Sequence, residues 1–147
     1  MSNAGYGFRA SFEGLYAKNK AGKTMLSVGD GAQAMNLVVI DDSGQTEVAC
    51  LTTGGQLLVF KLEEIPQLPR GKGVKLVQIP GAKFKTGEEV LKAVVLMAAG
   101  RSLKVLAGSR HITLKGRDLD AYRGERGKRG GRLPRGFQRV DGLEVVD

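Results

Sequence analysis

Cationic side chains interleaved with glycine recur three times along this chain. Lys18, Lys20 and Lys23 flank Ala21-Gly22; Arg70, Lys72 and Lys75 flank Gly71 and Gly73; Arg126, Lys128, Arg129 and Arg132 flank Gly127, Gly130 and Gly131, and Arg135 follows. Glycine lets a backbone come close to a phosphate and present its N–H donors, while Lys and Arg neutralise the charge. The chemistry implied is the holding of a phosphate backbone. No bond need be made or broken.

Other chemistry finds little support. Gly22-Lys23-Thr24 has the end of a phosphate-binding P-loop, but Ala17 stands where that motif needs its first glycine. His111 is the only histidine and Cys50 the only cysteine, so neither a metal-ligand spacing nor an internal disulfide exists. His111 sits in an alternating strand, where an edge or hydrogen-bonded role is expected. Cys50, inside Val48-Ala49-Cys50-Leu51, reads as a small buried hydrophobe. The pairs Asp41-Asp42 and Glu63-Glu64 are adjacent and would point to opposite faces of a strand. Tyr6, Tyr16 and Tyr122 lack the neighbours that would mark a nucleophile. The chain is expected to be non-catalytic and to need no cofactor.

Charge narrows the partner. The net charge is +8, and residues 101–139 alone carry 12 Lys/Arg against Asp118, Asp120 and Glu125. Such a segment repels itself unless a polyanion neutralises it. Stacking aromatics are few, at 5% Phe and Tyr with no Trp, which favours a duplex backbone over a single strand. No signal peptide is visible, and the longest uncharged apolar run, Ala93 to Ala99, falls far short of a membrane span. A cytoplasmic protein without a transmembrane segment is expected.

The elements that must position these loops form a repeat. A glycine turn leads into an alternating apolar strand, then a polar stretch with one apolar anchor, then a basic glycine loop and another strand. Phe8, Leu58 and Ile112 correspond, as do Leu15, Ile65 and Leu119. Repeats of about 4–52, 53–106 and 107–147 result within one domain spanning 1–147. The 22 glycines, scattered rather than periodic, fit many short turns. Further strands are expected at Met25-Leu26, Asn36 to Ile40, Glu47 to Leu51, Val90 to Met97 and Leu103 to Leu106. Helix formers fill Glu88 to Ala99, yet Val94-Val95-Leu96 continues an apolar run like the others and is read as strand. A period near 50 with several short strands predicts an all-β, propeller-like array of about three blades. Three blades do not close a propeller, so the array is open or partial, and a fragment of a longer domain is expected.

Several stretches resemble the C-terminal domain of the bacterial DNA topoisomerase IV A subunit, within the superfamily of gyrase A C-terminal domains. They are Ala4-Gly5-Tyr6-Gly7-Phe8, Lys20-Ala21-Gly22-Lys23, Gln56-Leu57-Leu58-Val59-Phe60, Ile65-Pro66-Gln67-Leu68 with Arg70-Gly71-Lys72-Gly73-Val74-Lys75, and Gly124 to Gly130 through Arg135 to Asp141. The resemblance implies a β-pinwheel, whose blades exchange strands and along whose basic rim duplex DNA bends. It implies that the catalytic residues lie in other domains, and that the partners are the ATPase B subunit together with the rest of the A subunit. The Gln-Arg-Arg-Gly-Gly-Lys-Gly box of the gyrase relative is lacking; Lys128-Arg129-Gly130-Gly131-Arg132 is a partial echo. The expected role is to hold duplex DNA for decatenation and supercoil relaxation. An alternative is a protein-docking surface, for instance for a bacterial condensin.

Overall fold

A computed structural model describes residues 1–10, 31–35, 38–40, 44–68, 71–137 and 139–146. Lys18, Lys20, Lys23, Arg70, the anchor Leu15, the strand expected at Met25-Leu26 and the Asp41-Asp42 pair lie outside the described residues, as do Asn36 and Leu37.

Val48-Ala49-Cys50-Leu51 within Gln45–Thr52 (β2) and Leu57-Leu58-Val59-Phe60 within Gln56–Lys61 (β3) are unbroken apolar runs, and Thr53-Gly54-Gly55 turns one strand into the other. The two pair antiparallel, from Glu47 opposite Lys61 to Leu51 opposite Leu57. Leu91–Ala98 (β5) lies along the other side of β2, with Val48 opposite Leu96. The strand reading of the Glu88 to Ala99 segment is thus borne out. Gly131–Arg132 (β8) completes this four-stranded sheet by pairing with the start of β3. Tyr6–Gly7 (β1) and Val74–Lys75 (β4) make a two-stranded sheet. Ser102–Ala107 (β6) lies between Arg110–Leu114 (β7) and Gly142–Val146 (β9) in a three-stranded one.

The middle sheet is apolar on both faces. Ala49, Leu51, Leu57, Val59 and Met97 pack with Leu103, Val105, Leu114, Leu119, Tyr122, Leu133 and Val140. The opposite face carries Val48, Cys50, Leu58, Phe60 and Leu91 against Leu62, Ile65, Leu76, Val77 and Ile79. Double-sided burial explains why Leu57-Leu58-Val59-Phe60 is an unbroken apolar run rather than the expected alternation. Each fully buried Leu or Val contributes about 1.5–3 kcal/mol relative to exposure, so this sheet is the backbone of the packing. Ile65 and Leu119, paired as anchors by the repeat, are both buried, one in each core.

Successive sheets exchange segments in the same way. β1 takes β4 from about 68 residues downstream, and β3 takes β8 from about 75 downstream. Just beyond, Arg9 bridges Gln67 and Val59 bridges Arg123, both in parallel sense. The Arg9 N–H donates to Pro66 O at 2.9 Å, and the Val59 N–H to Tyr122 O at 2.9 Å. This is an open, propeller-like array of sheets with exchanged strands.

Two departures from the sequence reading are local. Gly81–Lys85 (α1) and Gly116–Asp120 (α2) are helical, as is a 3-10 turn at Leu62–Glu64. Five residues are too few to show a helical period. α2 is instead marked by the Lys115 backbone N–H donating to Asp118 at 3.2 Å, and Lys61 donates to Glu64 in the same way. Second, Val38 to Ile40 are not in a strand and stand exposed.

Candidate nucleic-acid interface

The basic loops reach their places through glycine. Gly73 (φ +86°) and Gly130 (φ +80°) each precede an exchanged strand, and each lies hard against the backbone of the strand it joins. A Cβ on Gly73 would sit 2.2 Å from the Gly7 carbonyl oxygen; one on Gly130 would sit 2.4 Å from that of Leu57. Only glycine tolerates both the approach and the dihedral.

Side chains then divide into two sets. Lys72 is exposed, with its ammonium 4.0 Å from the centre of the Tyr6 ring. Lys128, Arg132 and Arg135 are exposed as well. Lys75 is half-buried, and its Nζ donates to Gln78 Oε1 at 2.6 Å.

Arg126 and Arg129 are turned inward, which narrows the role the sequence suggested for them. Arg126 donates through Nε to Glu64 O at 2.8 Å and through Nη1 to Lys75 O at 2.7 Å, while its N–H donates to Glu64 Oε1 at 3.0 Å. Arg129 forks onto Glu89, with Nη1 to Oε2 at 2.8 Å and Nη2 to Oε1 at 2.6 Å, and also donates to Gln78 O at 3.0 Å. The physical reason is local supply. The 75–78 segment runs beside 126–129 (Gly127 N–H to Leu76 O and Gln78 N–H to Lys128 O, both 2.9 Å), so its carbonyl groups lie within reach of the guanidiniums.

Glu89 was not singled out by the sequence, and nothing in its local pattern marks it. Its side chain is only 1% exposed, against 32% for Arg129. Thr52 Oγ1 donates to its Oε2, and Gly54 leaves the space it fills, because a Cβ there would lie 2.8 Å from the carboxyl carbon. Burial pushes the Glu89 carboxyl up. Hydrogen bonds from Arg129 and Thr52, with the charges of Arg129 and Lys83, outweigh this and hold it below the ordinary carboxylate value. Removing one partner of such a pair strands a buried charge, at about 3–5 kcal/mol where burial is complete.

Arg110 was also missed, although the repeat could have found it. The alignment of Phe8, Leu58 and Ile112 places Arg110 at the strand position of Tyr6 and Gln56. Its Nη1 lies 3.0 Å from where a Gly136 Cβ would be, beside the Arg135 turn. His111 is exposed on β7, the edge of its sheet. Arg123 is held by Glu47 and Asp120. Among the described residues, no group of three or more His, Cys, Asp or Glu side chains is placed to hold a metal ion. Nor is any helix among them long and apolar enough to cross a membrane.

Comparison with known proteins agrees with this geometry. Residues 46–96 match the family model described as DNA gyrase C-terminal domain, beta-propeller. The DNA topoisomerase 4 A subunit of Pseudomonas aeruginosa is 49% identical over 144 residues, and that of Escherichia coli is 39% identical. Each match covers 98% of this chain, which spans 19% of the length of these curated relatives. Among solved structures, the E. coli ParC C-terminal domain superposes with a TM-score of 0.88 at 37% identity, covering 99% of this chain and 58% of that one. A DNA gyrase A C-terminal domain, at 15% identity and a TM-score of 0.75 over 99% of this chain and 47% of that one, shares the fold. The chain belongs to the family of C-terminal domains of the topoisomerase IV A subunit, within the gyrase A superfamily.

Proposed function

We propose that this chain is a non-catalytic module that holds and bends duplex DNA along its basic loops, in support of a type II topoisomerase acting in decatenation and supercoil relaxation. The observation that carries the reading is the exposure of Lys72, Lys128, Arg132 and Arg135 on and around two exchanged segments that lie side by side. Lys18, Lys20, Lys23 and Arg70 are proposed to extend this track, with Lys75 at its margin. Arg126 and Arg129 build the loop that presents it. Binding of this kind needs no cofactor. The proposed setting is the bacterial cytoplasm at the nucleoid. The proposed partners are the ATPase B subunit together with the rest of the A subunit.

A salt series of duplex binding by fluorescence anisotropy tests this. Neutralising four phosphate contacts should flatten the slope of log affinity against log salt by about 3 to 4. The variant changes Lys72, Lys128, Arg132 and Arg135 to Gln. An unchanged slope would sink the assignment. A second reading, docking of a condensin or other protein, draws on the exposed apolar run Val38 to Ile40. It requires saturable binding that is insensitive to salt and to nuclease.

A further inference from the structure

We infer that the Glu89–Arg129 pair is a positioning device: it fixes the 126–132 loop in one pose against the 75–78 segment, and so sets the path of the duplex that the loop carries. The inference rests on the DNA-holding reading above and concerns how that site is shaped.

Three observations converge. In the alignment that matches Gly127 with Gly71 and Gly130 with Gly73, Arg129 is the extra residue between the second glycine-flanked cation and the close-approach glycine. That extra residue, its side chain still 32% exposed, forks onto a carboxylate buried to 1% exposure. The carboxylate has a prepared place, with Thr52 donating to it and Gly54 leaving room.

The consequence follows from burial. Moving the loop away would leave the Glu89 carboxylate unpaired inside the protein, so a range of loop poses collapses to one. Lys128 and Arg132 flank Arg129 and inherit that pose. Arg129 Nη1 also binds Gln78 O, three residues past Lys75, so the spacing between successive basic segments is held by the same guanidinium. A bent duplex needs cations at set separations, because bending DNA costs energy that only well-placed contacts return.

The test uses the whole chain and an end-labelled duplex, reading affinity by anisotropy and bend by energy transfer between the ends at saturation. Glu89→Gln removes an acid, so charge alone would tighten binding. Arg129→Lys keeps the charge and loses the planar fork, and it serves if Glu89→Gln does not fold. The expected result is about tenfold weaker binding in either variant with reduced energy transfer. Amide hydrogen exchange at Lys128 to Arg132 in the free protein should rise about tenfold or more, while the centre of β5 stays protected. Equal or tighter binding with the wild-type bend would overturn the inference, and so would unchanged loop exchange. If the wild type binds no duplex at low salt, the DNA reading and the duplex path fall together. Faster loop exchange in the variants would then show that the DNA reading, rather than the pair's hold on the loop, was at fault.

Discussion

Gly130 lies so close to Leu57 that a side chain on it would enter the Leu57 carbonyl oxygen, and Gly73 stands in the same relation to Gly7. The basic loops are therefore part of the joint between sheets, and their glycines are structural before they are functional. The cations ride on a backbone packed directly against the strand it joins.

Gly130→Ala should destabilise the protein by about 3 kcal/mol or more, combining a strained positive φ with a backbone clash. Gly100→Ala, also at positive φ (+83°) but facing open space, should cost only about 1–2 kcal/mol. Urea denaturation of the two variants checks the difference. Equal losses would mean that the close approach carries no weight.

Cys50 is fully buried in the middle sheet, and burial pushes its thiol up to about 12. Thiolate is the reactive form. Labelling by a disulfide reagent at pH 8 should be at least about a thousandfold slower in the native protein than in urea. Rapid native labelling would remove Cys50 from the core.

Glu89 carries a pH signature. Its folded value lies below the ordinary 4.5, so its ionised form stabilises the fold. That stability is fully present above about pH 4.5 and is lost as pH falls through the lower, folded value. Wild type should exceed Glu89→Gln by about 1–3 kcal/mol at pH 7. The two should converge in acid, where a protonated Glu resembles Gln. Urea midpoints measured from pH 7 to pH 3 give the comparison; a constant gap throughout would contradict the linkage.

Arg110 should belong to the cationic track. Arg110→Gln is expected to lower duplex affinity and to flatten the salt slope by about 0.9, the value of one phosphate. Arg123→Gln, whose guanidinium is held by Glu47 and Asp120, should leave the slope within error and act on stability. The same anisotropy series distinguishes the two.

Leu119→Ala should cost about 2–5 kcal/mol, because Leu119 is the fully buried anchor of a helix whose other four residues are exposed. Chemical denaturation checks it. A loss below about 1 kcal/mol would mean the core relaxes around the gap.

Much of the array was legible because its signals are local. Apolar runs at β2, β3, β5 and β6, the anchors Ile65 and Leu119 and the glycine loops all read out from spacing and residue type. Short elements did not read out. α1 and α2 hold five residues each, below the length at which a helical period differs from noise. The run Val38 to Ile40 looked like a strand because composition alone cannot say whether a partner strand exists.

Charge, the repeat, the absence of a disulfide within the chain and the stock of residues for a phosphate-binding rim are all set by residue order. Which of those cations face outward is set by packing. Arg126, Lys128, Arg129 and Arg132 are equivalent by composition, yet two of them close onto Glu64, Lys75, Gln78 and Glu89, and two remain exposed. Glu89 is 40 residues from Arg129 along the chain. A long-range ion pair of this kind has no local periodicity, because it exists only once strand exchange has brought the two segments together.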